Sequence, residues 1–234
     1  MNRRALGFGL IEALLALALG LVLVLAVTQV FIAAKRTYLS QNAAANLQED
    51  GRFILSKMLQ EIRMVGLFGC LRSITDASLD GTFSAQRAAP IRWDGANQRL
   101  SLISADTGSD GGTPTWTLIT DCRSSAIAYS GAHSAPAGYQ ALALRRWSYR
   151  LRNQQLWMGT DSGQSVLADN VEAFDVSFGL AGSASDSAVS HYSSRPGDPA
   201  RIRSVRLSLT LADPQQRVRS QTFSTVAALR NRLP

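Results

Sequence analysis

Side chains able to do chemistry are few and scattered in this chain of 234 residues. His133 and His191 are its two histidines, and neither stands in an H-E-x-x-H pattern. No Gly-rich loop ending in Gly-Lys-Ser/Thr is present to cradle a phosphate, and no serine sits in a G-x-S-x-G elbow. Asp106 and Asp110, beside Gly108, Gly111 and Gly112, suggest a calcium loop, but the further oxygen ligands and closing glutamate of an EF-hand are missing, so a solvent turn is expected. These patterns point away from an enzyme. No catalytic residue, cofactor, metal or small-molecule substrate is expected.

Glu12 offers chemistry of another kind. It is the one charged residue in a run from Phe8 to Ala34, directly behind a short leader, Met1 to Gly7, that carries Arg3 and Arg4. An ionised carboxylate among lipid tails costs a few kcal/mol on insertion scales, so such a group is read as functional and in need of a partner. The alternative is a plain signal anchor, with Glu12 near enough to water to stay solvated or to be protonated.

The element that carries Glu12 has the dimensions of a membrane helix. Phe8 to Val27 alone rises about 30 Å, the thickness of a bilayer's hydrocarbon core, and Lys35 and Arg36 mark its far end. A secretory signal would carry a shorter apolar stretch and a small-x-small cleavage site behind it. Here the small residue at the basic-to-apolar boundary is Gly7, in front of the run, so cleavage there leaves the helix attached. Counting positive charge nearly cancels across the helix, with Arg3 and Arg4 on one side and Lys35 and Arg36 on the other.

Gly7-Phe8-Gly9-Leu10-Ile11-Glu12 resembles the processing site of type IV pilins and type II secretion pseudopilins, where glycine precedes an apolar first residue and glutamate stands fifth. The resemblance implies that a membrane-bound prepilin peptidase cuts between Gly7 and Phe8 and N-methylates Phe8. It also implies that Glu12 meets the amino group of a neighbouring subunit's first residue during assembly. The chain departs from many major pilins in having no proline before Pro90, so no kink of proline origin is expected.

Cys70 and Cys122 are the two cysteines, and neither belongs to a C-x-x-C pair. A structural disulfide is the economical reading, with two buried free thiols as the alternative. Closing a loop of about 50 residues would stabilise the fold by roughly 4 kcal/mol. Such a bridge suits an oxidising compartment. With the pilin resemblance, it implies an inner-membrane protein with one span, a periplasmic carboxyl-terminal domain and a later place in a pilus fibre.

Past the membrane run, Leu39, Ala43, Leu47, Ile54, Met58, Ile62 and Val65 recur at helical steps between polar residues, which predicts one buried stripe. Gly51 predicts a bend or short break near Asp50, and Gly66 and Gly69 predict the end. Short β-like runs follow at Arg99 to Ile103, Trp116 to Ile119, Ala141 to Leu151, Glu172 to Phe178 and Arg203 to Leu211. In the last, Val205, Leu207, Leu209 and Leu211 alternate with Ser204, Arg206, Ser208 and Thr210, as expected for an antiparallel sheet with one side against the helix. Asp106 to Pro114 and Ala181 to Pro199 are rich in Gly, Ser, Ala and Asp and are expected to be mobile surface loops. The fold class is therefore α+β: leader 1–7, apolar helix 8–34, amphipathic helix 35–69 and a β-rich domain 70–234.

Further segments, among them Arg63 to Cys70, Leu167 to Phe174, Ile202 to Leu209 and Thr225 to Arg232, resemble the PilW branch of the minor pilins, and in part the J-type pseudopilins of type II secretion. That resemblance implies a low-abundance subunit that joins other minor pilins and the major pilin in a complex that primes or caps the fibre. A secretion pseudopilin and a pilus-borne DNA receptor are the alternatives. For the last, Arg145, Arg146, Arg150 and Arg152, with Trp147 and Tyr149 interleaved, could form a basic and aromatic nucleic-acid surface. A solvated strand face whose arginines pair acidic neighbours is the favoured reading.

Overall fold

A computed structural model of the chain describes residues 9–106, 112–160 and 163–232. One helix, α1 (Leu10–Met64), opens the chain. Its first turn closes on Gly9, whose carbonyl accepts from the N–H groups of Glu12 and Ala13. Two units divide the chain at Asn46 and Leu47.

In the first unit, residues 10–34 of α1 are apolar on nearly every side and their side chains stand exposed, from Leu10 at 78 % to Phe31 at 67 %. The helix is long and apolar enough to cross a membrane. Its hydrogen bonds close internally, the condition for any backbone placed in lipid.

In the second unit α1 has the one-sided burial that the sequence periodicity predicts. Ile54, Met58 and Ile62 are at most 1 % exposed and Leu47 and Leu55 are buried with them. The expected break at Gly51 is absent, because α1 runs through it unbroken. Gly51 has a packing reason instead: a Cβ there would stand 2.6 Å from the ring of Phe223. The helix also ends earlier than residue 69. Val65 leaves it to bridge Ser104, and Gly66 turns the chain at φ 81°.

The rest of the unit is β-rich, with a short helix α2 (Thr82–Arg87). Its strands are β1 (Thr75–Asp76), β2 (Ile91–Asp94), β3 (Arg99–Ala105), β4 (Trp116–Thr120), β5 (Ala126–Ser130) and β6 (Gln140–Arg152). They continue with β7 (Gln155–Thr160), β8 (Gly163–Ala168), β9 (Val171–Ala181), β10 (Val189–Ser193), β11 (Ile202–Leu211) and β12 (Gln221–Ala228). Where the sequence predicts one sheet, the described residues form two. The first runs β1-β5-β4-β6-β3-β2, with β7 and β8 added beyond the second half of β6, and the second runs β10-β9-β11-β12. Among the described residues all strand pairings are antiparallel except β1 with β5. The change of sheet falls at Asp169-Asn170, where Asn170 takes a left-handed turn at φ 57°, a conformation asparagine tolerates.

The α1 stripe and the inner faces of both sheets share one core. Leu100, Leu102, Trp147 and Tyr149 of the first sheet meet it with Phe174, Val176, Phe178, Val205, Leu207 and Leu209 of the second. A smaller cluster gathers Phe68, Phe83, Trp116, Leu118 and Leu144, with Phe83 edge-on to both Phe68 and Trp116. The architecture is thus α+β, a long helix with an antiparallel-rich β domain.

The segment Ala181 to Pro199 is not a free loop. It contains β10, which pairs with β9, and the buried guanidinium of Arg203 donates to the carbonyls of Ala184, Asp186 and Ala200. One arginine thereby satisfies backbone groups that water would otherwise serve.

Candidate functional site

The predicted residues fall in three places. Glu12 lies exposed in the first turn of α1, where a carboxylate complements the helix dipole. Every large apolar neighbour along the next five turns is exposed too, Leu14, Leu15, Leu19 and Val22 among them. Glu12 therefore combines a carboxyl group with an apolar surface that nothing in this unit covers. Gly7 and Phe8 lie outside the described residues.

Cys70 and Cys122 form a disulfide with Cα atoms 5.4 Å apart, which resolves the choice between bridge and free thiols. Gly69, at φ 83°, lets the chain pass within 2.8 Å of Leu118 from where a Cβ would be, and so delivers Cys70 to the turn between β4 and β5. That turn is organised by Asp121, whose carboxylate accepts from the backbone N–H groups of Arg123, Ser124 and Ser125. Those bonds, with that of Ser125 the strongest, hold the Asp121 carboxyl well below the usual carboxylate range. The bridge ties the exit of α1 to the first sheet.

The third place is β6, where the alternative reading of a basic and aromatic surface meets buried aromatics. Trp147 and Tyr149 point into the core at 6 % and 0 % exposure, as strand alternation requires of residues between Arg146, Ser148 and Arg150. Arg145 is also buried. Its Nε lies 2.6 Å from a carboxylate oxygen of Asp106, and its other nitrogens donate to the carbonyls of Gly112 and Thr113. Asp106 is consequently not in a solvent turn but in a buried ion pair, while Asp110 lies outside the described residues. Arg146 reaches Gln86, and Arg152 is exposed at the end of β6. Arg150 stands between Arg99 of β3 and Trp157 of β7 across the sheet.

Instead, arginines from separate strands converge. A groove of about 1470 Å³ opens on the faces of β2, β3, β6, β9 and β11 that turn away from the core. Arg92, Arg99, Arg146, Arg195 and Arg206 line it, with Asp94 and Asp175 as its carboxylates. Asp94 accepts from the side chain and backbone of Asn97, which holds its carboxyl below the usual range and keeps it anionic. Arg206 lies over the ring of Tyr192, 3.9 Å from its centroid. The signal that reveals this groove is a repeated triplet, Arg92-Trp93-Asp94, Arg99-Leu100-Ser101, Arg146-Trp147-Ser148 and Arg206-Leu207-Ser208. In each, the apolar middle residue faces the core and the polar pair faces the groove. The triplets are about 50 residues apart or more in two cases, so only strand register gathers them.

His133 and His191 stand apart, the first stacked beside Tyr129 near the β5–β6 turn and the second on β10. Among the described residues no three His, Cys, Asp or Glu side chains gather as a metal site would require. No protein-family model matches the sequence, and no curated protein matches it either.

Proposed function

We propose that this chain is a minor subunit of a type IV pilus, held in the inner membrane by α1 and drawn from it into a helical bundle of like subunits. The single observation that carries the reading is Glu12, one carboxylate at the head of the apolar stretch of α1, residues 10–34, whose side chains are exposed. In the bundle the apolar surface exchanges lipid for neighbouring helices. Ala13, Ala16, Ala18 and Gly20 permit close approach there.

Processing between Gly7 and Phe8 would create the amino group that Glu12 needs, on the first residue of a neighbour. An ammonium and a carboxylate brought together in an apolar bundle attract far more strongly than in water, and each relieves the other's desolvation. A subunit docked out of register leaves both charges unpaired, so the pair sets axial position as well as adding attraction. The disulfide supports the reading from another side, since such bridges persist in an oxidising periplasm. The subunit would join other minor pilins and the major pilin, priming or capping the fibre.

The test is Glu12→Ala in cells that assemble the fibre. Cleavage at Gly7 and the amount of membrane-bound protein should be unchanged, while the share recovered in sheared fibres falls at least about tenfold, the equivalent of about 1.4 kcal/mol or more of lost pairing. Undiminished incorporation would reject the pairing role.

A further inference from the structure

We infer that the arginine-lined groove is a docking surface for an extended acidic segment of a partner protein. Its volume exceeds the range of about 300–1,000 Å³ typical of small-molecule pockets, so a stretch of chain fits it better than a compact ligand. Five guanidinium groups face two carboxylates. Among the described residues Arg92, Arg195 and Arg206 form no ion pair, and all three are exposed. A guanidinium group binds a carboxylate through two parallel N–H donors; on the β2–β3 pair Arg92 lies opposite Ser101, while Arg99 lies opposite Asp94. Ser101, Ser148 and Ser208 lie between the arginines and can serve a passing peptide backbone.

Polypeptide is favoured over nucleic acid by what the groove lacks. Binding of single strands depends on aromatic platforms for the bases, and the one aromatic among the described residues that line the groove, Trp93, is turned edge-on to Phe174, 5.3 Å away in the core. A second copy of this chain is a poor occupant. The chain carries +7 and has no acidic run longer than Glu49-Asp50, so copies repel and offer no complementary strand. The inference stands on the groove alone and does not rest on a role in fibres.

Fluorescence anisotropy on the full chain in detergent tests it, with three labelled probes of equal length: alternating Asp and Ser, alternating Lys and Ser, and a thymidine oligonucleotide. The Asp/Ser peptide is expected to bind, the Lys/Ser peptide not, and added salt to weaken the binding. The double variant Arg99→Glu, Arg206→Glu should weaken it at least about tenfold, and Arg52→Glu, on an exposed position of α1, less than about twofold. The milder double variant Arg99→Gln, Arg206→Gln should also weaken it, and it decides the matter if the charge reversals unfold the domain. Failure of the Asp/Ser peptide to bind, binding indifferent to both double variants, or tighter binding of the oligonucleotide would overturn the inference.

Discussion

Two stretches of one helix, residues 10–34 and 47–64 of α1, are both rich in apolar residues and have opposite surroundings. Leu15, Val22 and Phe31 are 58 %, 64 % and 67 % exposed, whereas Ile54, Met58 and Ile62 are between 0 % and 1 %. The difference follows from pattern. In the second stretch polar residues alternate with a stripe, and the stripe has two sheets to pack on. In the first the apolar residues cover the whole circumference, a surface suited to lipid or to other helices. Apolar content alone therefore says little about where a helix segment goes, and its angular distribution says a good deal.

The strongest way to break this comparison is to place the same charge in each stretch. Met58→Asp should destabilise the β-rich unit by more than about 4 kcal/mol, since a carboxylate at a fully buried site has no partner there. Chemical denaturation followed by circular dichroism reads it. Leu21→Asp should leave that denaturation midpoint unmoved and instead oppose membrane insertion by about 2.5–3.5 kcal/mol, measured as the membrane-bound fraction. Equal effects of the two variants on unfolding would erase the distinction.

Next in size is the disulfide, which belongs wholly to the second unit. Replacing both cysteines by serine should lower unfolding stability by about 4 kcal/mol, given a sequence separation of 52 residues, without changing membrane partition. A change below about 1 kcal/mol would mean that the end of α1 is held by the Phe68 and Trp116 cluster alone.

The smallest effect sharpens the comparison through glycine. Helix propensity favours Gly→Ala by up to about 1 kcal/mol at either Gly20 or Gly51. Gly20 meets nothing within 4 Å, so Gly20→Ala should be harmless to the folded unit, while Gly51→Ala drives a methyl into Phe223 and should cost about 1–3 kcal/mol. Thermal melting of the two variants checks the sign.

Gly51 also marks the limit of what the sequence makes legible. From the chain alone a glycine amid helical periodicity reads as a weak point, because the residue it accommodates is on β12, more than 170 positions away. The same limit explains the strands. Those with clean alternation or strong apolar content, β3, β4, β6, β9 and β11, are recognisable, with ends extended by one to three residues in the structure. β8, β10 and β12 are not, since their polar and small side chains need no core face and are fixed by pairing to a neighbour. Alternation shows that Arg146 and Arg150 point away from Trp147 and Tyr149, and Arg145, on the same side as the two aromatics, is buried with them against Asp106, a partner that no local pattern reveals. For the groove, the local triplets mark which strand faces are basic, but their arginines meet only through the register of two sheets.

The central claim is that the apolar helix with Glu12 at its head is an assembly element whose counter-charge is a neighbour's freed amino terminus. Intact-mass and amino-terminal peptide analysis of the protein extracted from fibre-forming membranes tests it most directly. The account predicts a chain that begins at Phe8 with a methylated amine. A chain in working fibres that still begins at Met1 would contradict it.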